Sequence, residues 1–176
     1  MAPSEHEADI IERLNEAITV RGFFITSVEI LEEAVDALIQ RIFRKDDFAV
    51  KSVVEPLLHD TGPLGELSVR LKLLYGLGVI AQPVYQDIER CLHIKEMLNR
   101  DVTEYQFTDP KIIQEIKALH QANVMGIAQL DMAPITEDID LAFYQMQTAR
   151  QEQIVKSTLA LAISGIATSL NKDSPF

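Results

Sequence analysis

The sequence predicts an all-α protein, an irregular bundle of about six to eight helices with no β-sheet. Three observations carry this reading. Apolar residues recur at helical spacing along most of the chain. No sustained alternation of apolar and polar residues suggests a strand. Helix breakers are scarce, with 7 Gly and 7 Pro in 176 residues, so turns are few. Domains usually run to about 100–200 residues, and a single helical domain over residues 1–176 is the expectation.

The elements follow in order. Ser4 can cap a first helix over about 5–20, with Glu5, Glu7 and Asp9 at the positive end of its dipole and Ile10, Ile11, Leu14, Ala17 and Ile18 facing the core. Gly22 leaves open whether this helix stops or bends into the next. In that next helix, over about 23–43, Phe24, Val28, Leu31, Val35, Leu38 and Ile42 make one apolar stripe. A short helix near 47–58 contains Pro56, which can kink or divide it. Pro63, Pro83 and Pro110 sit where proline opens a helix, predicting helices over about 64–77, 84–99 and 110–121, with Asp109 a good N-cap for the last. Gly78 suits a left-handed C-cap. The pattern fades over 121–136. A final helix from about 137 or 138 repeats Val155, Leu159, Ala162, Ile166 and Leu170. Its Ala, Ser and Gly content predicts close packing, either centrally or against a second copy of the chain.

Charge narrows the function. The formal net charge is −11, and each third of the chain carries more carboxylates than lysines and arginines. Nucleic-acid binders gain affinity by neutralising phosphates, so direct DNA binding is disfavoured. A helix-turn-helix drawn from Leu64 to Asn99 would lead into the groove with Val84, Tyr85, Gln86, Asp87, Ile88 and Glu89, a poor surface for phosphates and base edges. An αα-hairpin of the core fits that segment better. The single cysteine precludes an intrachain disulfide framework and suits a reducing cytoplasm. The acidic start, MAPSEHEADII, does not read as a targeting segment. No uninterrupted apolar run approaches bilayer-spanning length, so no membrane association is expected.

Catalytic and ligand motifs are sparse. His6, His59, His93 and His120 show no metal-ligand spacing, and Cys91 lies on an apolar helix face as a small buried hydrophobe. Gly76-Leu77-Gly78 lacks a third glycine and follows a helix, unlike a phosphate-binding loop. No catalytic residue, cofactor or metal is therefore assigned. The candidate functional surface is Arg44, Lys45, Asp46 and Asp47, paired charges at a helix joint, together with Arg70, which can pair with Glu66 or with a carboxylate on another helix.

The run RKDDFAVKSVVEPLLHDTGPLGELSVRLKLLYGLGVI, 44–80, resembles the mannitol operon repressor family. EYQFTD at 104–109, RGFFITSVEILEEAV at 21–35 and VKSTLALA at 155–162 are similar to it as well. The resemblance implies a bacterial cytoplasmic repressor of mannitol utilisation genes with no familiar DNA-binding motif. Set beside the acidity, it implies action through a protein partner, either a DNA-binding regulator or a sugar phosphotransfer component. The alternatives are a small-molecule-binding protein or metabolic enzyme for a sugar or small organic acid, and a structural adaptor working as a homo-oligomer.

Overall fold

The computed structural model describes residues 4–43, 48–124 and 140–172. Those residues form eight α-helices and no strand. In α1 (Glu5–Glu16) the Ser4 hydroxyl accepts from the Glu7 N–H while the Glu7 carboxylate accepts from the Ser4 N–H, a reciprocal capping box. α1 stops at Glu16, four residues short of expectation. The break lies at 17–19, not at Gly22: the Thr19 hydroxyl accepts from the Gly22 N–H and opens α2 (Val20–Ile42). Ile18, expected in the core, falls in this joint outside the helical period and is 93% exposed.

α2 is the central rod. Beyond the expected stripe it buries Phe23, Ser27, Ile30, Ala34 and Ile39, because α1, α4, α5 and α8 surround it. Phe23 meets Phe24 and Phe107 edge to face, with ring centroids 5.7 and 5.3 Å away, the arrangement aromatic quadrupoles favour. α3 (Phe48–Leu58) runs through Pro56, packs Leu58 against this core and exposes Phe48 and Val53.

α4 (Leu67–Gly76) begins later than Pro63 suggests. The preceding residues instead make a tight turn in which the Gly62 N–H donates to the His59 carbonyl, the Leu64 N–H to that of Leu57 and the Gly65 N–H to that of Gly62. A Cβ at Gly62 would meet the Pro56 carbonyl oxygen at 2.3 Å, so this packing needs glycine. α4 ends in a Schellman motif: Gly78 has φ +73°, its N–H donates to the Tyr75 carbonyl, and the Val79 N–H donates to that of Leu74. Gly78 thus occupies the expected left-handed position.

α5 (Gln82–Arg100) has Pro83 in its first turn and buries Ile88, Cys91, Ile94 and Leu98. Of the residues leading this helix, Asp87 and Ile88 are inside the protein, while Gln86 is exposed and Glu89 partly so. The α4–α5 pair is therefore the αα-hairpin of the core. α6 (Pro110–Lys117) follows Asp109, whose carboxylate accepts from the Gln106 N–H and makes no cap bond to the helix. A short α7 (His120–Val124) stands where the pattern fades.

α8 (Leu141–Lys172) starts after Asp140, whose carboxylate accepts from the Ala142 N–H at 3.2 Å. The expected start at 137 or 138 lies outside the described residues. From Val155 onward α8 buries its small residues against α1, α2 and α7, and Ala160, Ala162 and Ala167 are fully enclosed. Among the described residues α8 alone is long and apolar enough to cross a membrane by length and composition, and half of its most apolar stretch is buried in the bundle.

Candidate functional site

Of the expected surface, Arg44, Lys45, Asp46 and Asp47 lie outside the described residues. Arg70 is described, and it lies under the surface: only 5% of it is exposed. Its guanidinium is paired with Asp36 of α2 and donates to the carbonyls of Leu64 at 2.6 Å, Gly65 at 3.1 Å and Leu58 at 3.3 Å. The partner is thus a carboxylate on another helix and not Glu66. Five fixed N–H donors satisfy several backbone acceptors at once. Arg70 accordingly ties the 58–65 turn to the central helix, and Lys72, two residues on, points into solvent.

A second polar cluster joins residues far apart in sequence. The Asp87 carboxylate, 3% exposed, accepts from the backbone N–H groups of His120 at 2.7 Å and Gln121 at 3.0 Å. It also faces the His120 ring, with Nδ1 at 3.0 Å. A carboxylate only accepts, so this bond places a proton on Nδ1 and turns Nε2 away from Asp87 on a half-exposed ring. The buried charge is matched by three donors at the start of α7, as a desolvated carboxylate requires. Around His120 opens a depression of about 460 Å³ bordered by Gln86, Glu89, Arg90 and His93. Arg90 reaches Glu115 of α6 at 3.3 Å, and Tyr85 donates to Glu89 at 2.6 Å while its ring stacks on Tyr75. Sequence reasoning missed this cluster because Asp87 reads as an ordinary exposed position of an amphipathic helix. Its only signal is a carboxylate in the register of the apolar Val84–Ile88–Cys91 stripe.

Two other groups are fixed by local bonding. Burial, helped by the Asp87 carboxylate, pushes the Cys91 thiol up to about 12, which makes it inert and fits the packing role expected of it. Tyr105 and the Thr103 backbone donate to Asp101 and hold its carboxyl well below the usual range, with Lys111 beside it. Among the described residues no three His, Cys, Asp or Glu side chains stand together as a metal site would require.

A family model described as Mannitol repressor matches residues 6–171. The chain belongs to the mannitol repressor family. Within this family it is 46% identical over 170 residues to the Mannitol operon repressor of Escherichia coli K12, covering 97% of this chain and 85% of the relative. Its structure is similar to a chain in the X-ray structure of the MtlR-HPr complex from Escherichia coli, with a TM-score of 0.87, 46% identity, and coverage of 95% of this chain and 99% of that one. A more distant relative is Fumarase E of Shigella flexneri, 28% identical over 174 residues, spanning 96% of this chain and 97% of the relative. The catalytic name belongs to that more distant relative.

Proposed function

We propose that this protein is a transcriptional repressor of the mannitol utilisation operon that acts through a protein partner and not through a helix-turn-helix of its own. The observation that carries this reading is near-complete coverage at 46% identity by a repressor seen in complex with HPr. HPr is a phosphotransfer protein, so the partner class favoured here is the sugar phosphotransfer component, with a DNA-binding regulator as the second class. The start of α5 supports the same mechanism: with Asp87 and Ile88 buried, the side it leaves at the surface carries Gln86 and Glu89, a poor match for phosphates. Such a protein works in the cytoplasm as one helical domain and needs no catalytic residue, metal or cofactor.

Within this reading the contact surface is Arg44, Lys45, Asp46 and Asp47, while Arg70 has a structural part, holding the 58–65 turn on α2. Calorimetric titration of the purified protein with HPr tests both parts. The expected result is saturable binding that weakens at least about tenfold when Arg44 and Lys45 are both reversed to Glu, since charge pairing at an interface discriminates strongly. Binding unaffected by the reversal removes that surface, and no binding removes HPr as the partner.

A second reading, hydration of a small unsaturated acid, is favoured by one observation. Asp87 orients the His120 ring through Nδ1, with Nε2 turned away from it at the edge of a depression, the arrangement a proton-transfer site uses. The repressor reading predicts no change in the ultraviolet absorbance of fumarate incubated with the protein. Turnover lost in His120→Gln would establish the second reading.

A further inference from the structure

A groove of about 790 Å³ lies between the start of α2, the 101–109 segment and the first half of α8. Its shape follows from one clamp. The Glu152 carboxylate accepts from the N–H groups of Phe107 and Thr108 and from the Thr108 hydroxyl, at 3.2, 2.9 and 2.7 Å. This holds the 107–108 backbone against α8. Before Val155 no described residue of α8 is buried, so the helix leaves the core at the clamp and a wedge opens toward its N-terminal end.

We propose that this groove binds a neutral polyol and discriminates against its phosphate ester. The inner wall is apolar and aromatic: Val20 and Phe107 are buried, while Tyr105 and Tyr144 turn partly exposed rings to the space. Such rings offer a flat apolar surface for the C–H face of a polyhydroxylated chain. The rim supplies Gln106, Gln145 and Thr148, and no side-chain hydrogen bond within the described structure occupies any of the three. A hydroxyl both donates and accepts, as do amide and hydroxyl side chains, so vicinal hydroxyls match this rim. The volume lies within the usual range for small-molecule sites, about 300–1,000 Å³.

Charge decides between polyol and phosphate. The lining contains the carboxylates of Glu104 and Glu152 and no Arg, Lys or His. The two cations beside it are already engaged: Arg21 donates to the Asp101 carbonyl and pairs with Glu104, and Lys111 pairs with the Asp101 carboxylate and donates to the Tyr105 hydroxyl. A phosphate group would meet the lining carboxylates and compete with Asp101 and Glu104 for any charge-assisted donor. The site itself stands on this geometry; the choice of mannitol as the first probe rests on the repressor reading above.

The test is calorimetric titration of the full chain with mannitol, sorbitol and mannitol 1-phosphate, repeated on Gln106→Leu and Thr148→Val. The expected result is saturable binding of mannitol or sorbitol, with the phosphate ester weaker by about tenfold or more. Each variant should lose about fivefold in affinity, the equivalent of one neutral hydrogen bond, while far-ultraviolet circular dichroism and melting temperature stay unchanged. Absence of polyol binding, equal or tighter binding of the phosphate ester, or full affinity in both variants overturns the proposal. Loss of HPr binding in these variants without polyol binding overturns it too, and assigns the groove, with Ile18 at its lip, to a protein. Repression and HPr binding measured on the same variants report on the earlier reading separately. Polyol binding by a protein that does not repress would refute only that reading.

Discussion

Arg70 shows how a charge legible in the sequence acquires its role only in three dimensions. Its position at the edge of an apolar stripe marks it as unusual, but the three carbonyls it satisfies belong to a turn whose shape no periodicity describes. Removing the guanidinium leaves those acceptors without their donor and Asp36 without its cation. Asp36 is half-exposed, so water recovers part of that loss. Arg70→Ala should therefore cost about 2–4 kcal/mol of unfolding free energy, and Arg70→Lys should recover only part of it, having no planar fork. Urea denaturation measures both. Cys91 gives a pH-dependent case. The unfolded thiol titrates near 9.0 and the buried one at about 12, so the folded state favours the protonated form. This contribution is complete below pH 9 and is lost as pH rises toward 12. Cys91→Ala should lose less stability than the parent across that window, and the parent thiol should resist alkylation at pH 8 until the chain unfolds.

Among the helices, most boundaries marked by a strong local residue were legible, and those set by weaker local signals or distant contacts were not. Ser4, Pro83, Pro110 and Gly78 stand where their chemistry predicts, because each needs only neighbouring backbone. Pro63 misled because the Leu64 and Gly65 carbonyls are held by Arg70, a tertiary partner, and the helix waits until Leu67. The α1–α2 joint is closed by the Thr19 hydroxyl, a weaker signal than the nearby Gly22. Likewise the α5–α7 link through Asp87 spans 33 residues to His120, beyond any local pattern. Gly78→Ala forces a side chain into the left-handed region and should cost about 1 kcal/mol, readable as a lower melting temperature. Glu152→Ala releases the clamp on the 107–108 backbone, so the amides of Phe107 and Thr108 should exchange with deuterium at least about tenfold faster, while those of α2 keep their protection.

Across the whole molecule, acidity and packing lead to one mechanism. The net charge of −11 argues against phosphate neutralisation as a source of affinity. The start of α5, drawn as a recognition element, leaves Gln86 and Glu89 at its surface and no cation in its first turn. Of the small residues of α8, which in sequence fit either a central helix or a contact between copies, Ala160, Ala162, Ser164 and Ala167 are enclosed in the bundle. The central claim is that repression is exerted through a protein and not by this chain in the DNA groove. It is tested most directly by an electrophoretic shift on mannitol promoter DNA at about 150 mM salt, where non-specific attraction is weakened, with the purified protein alone and then with its partner. The protein alone should leave the DNA unshifted at concentrations that saturate HPr binding. A sequence-specific shift by the protein alone would contradict the account.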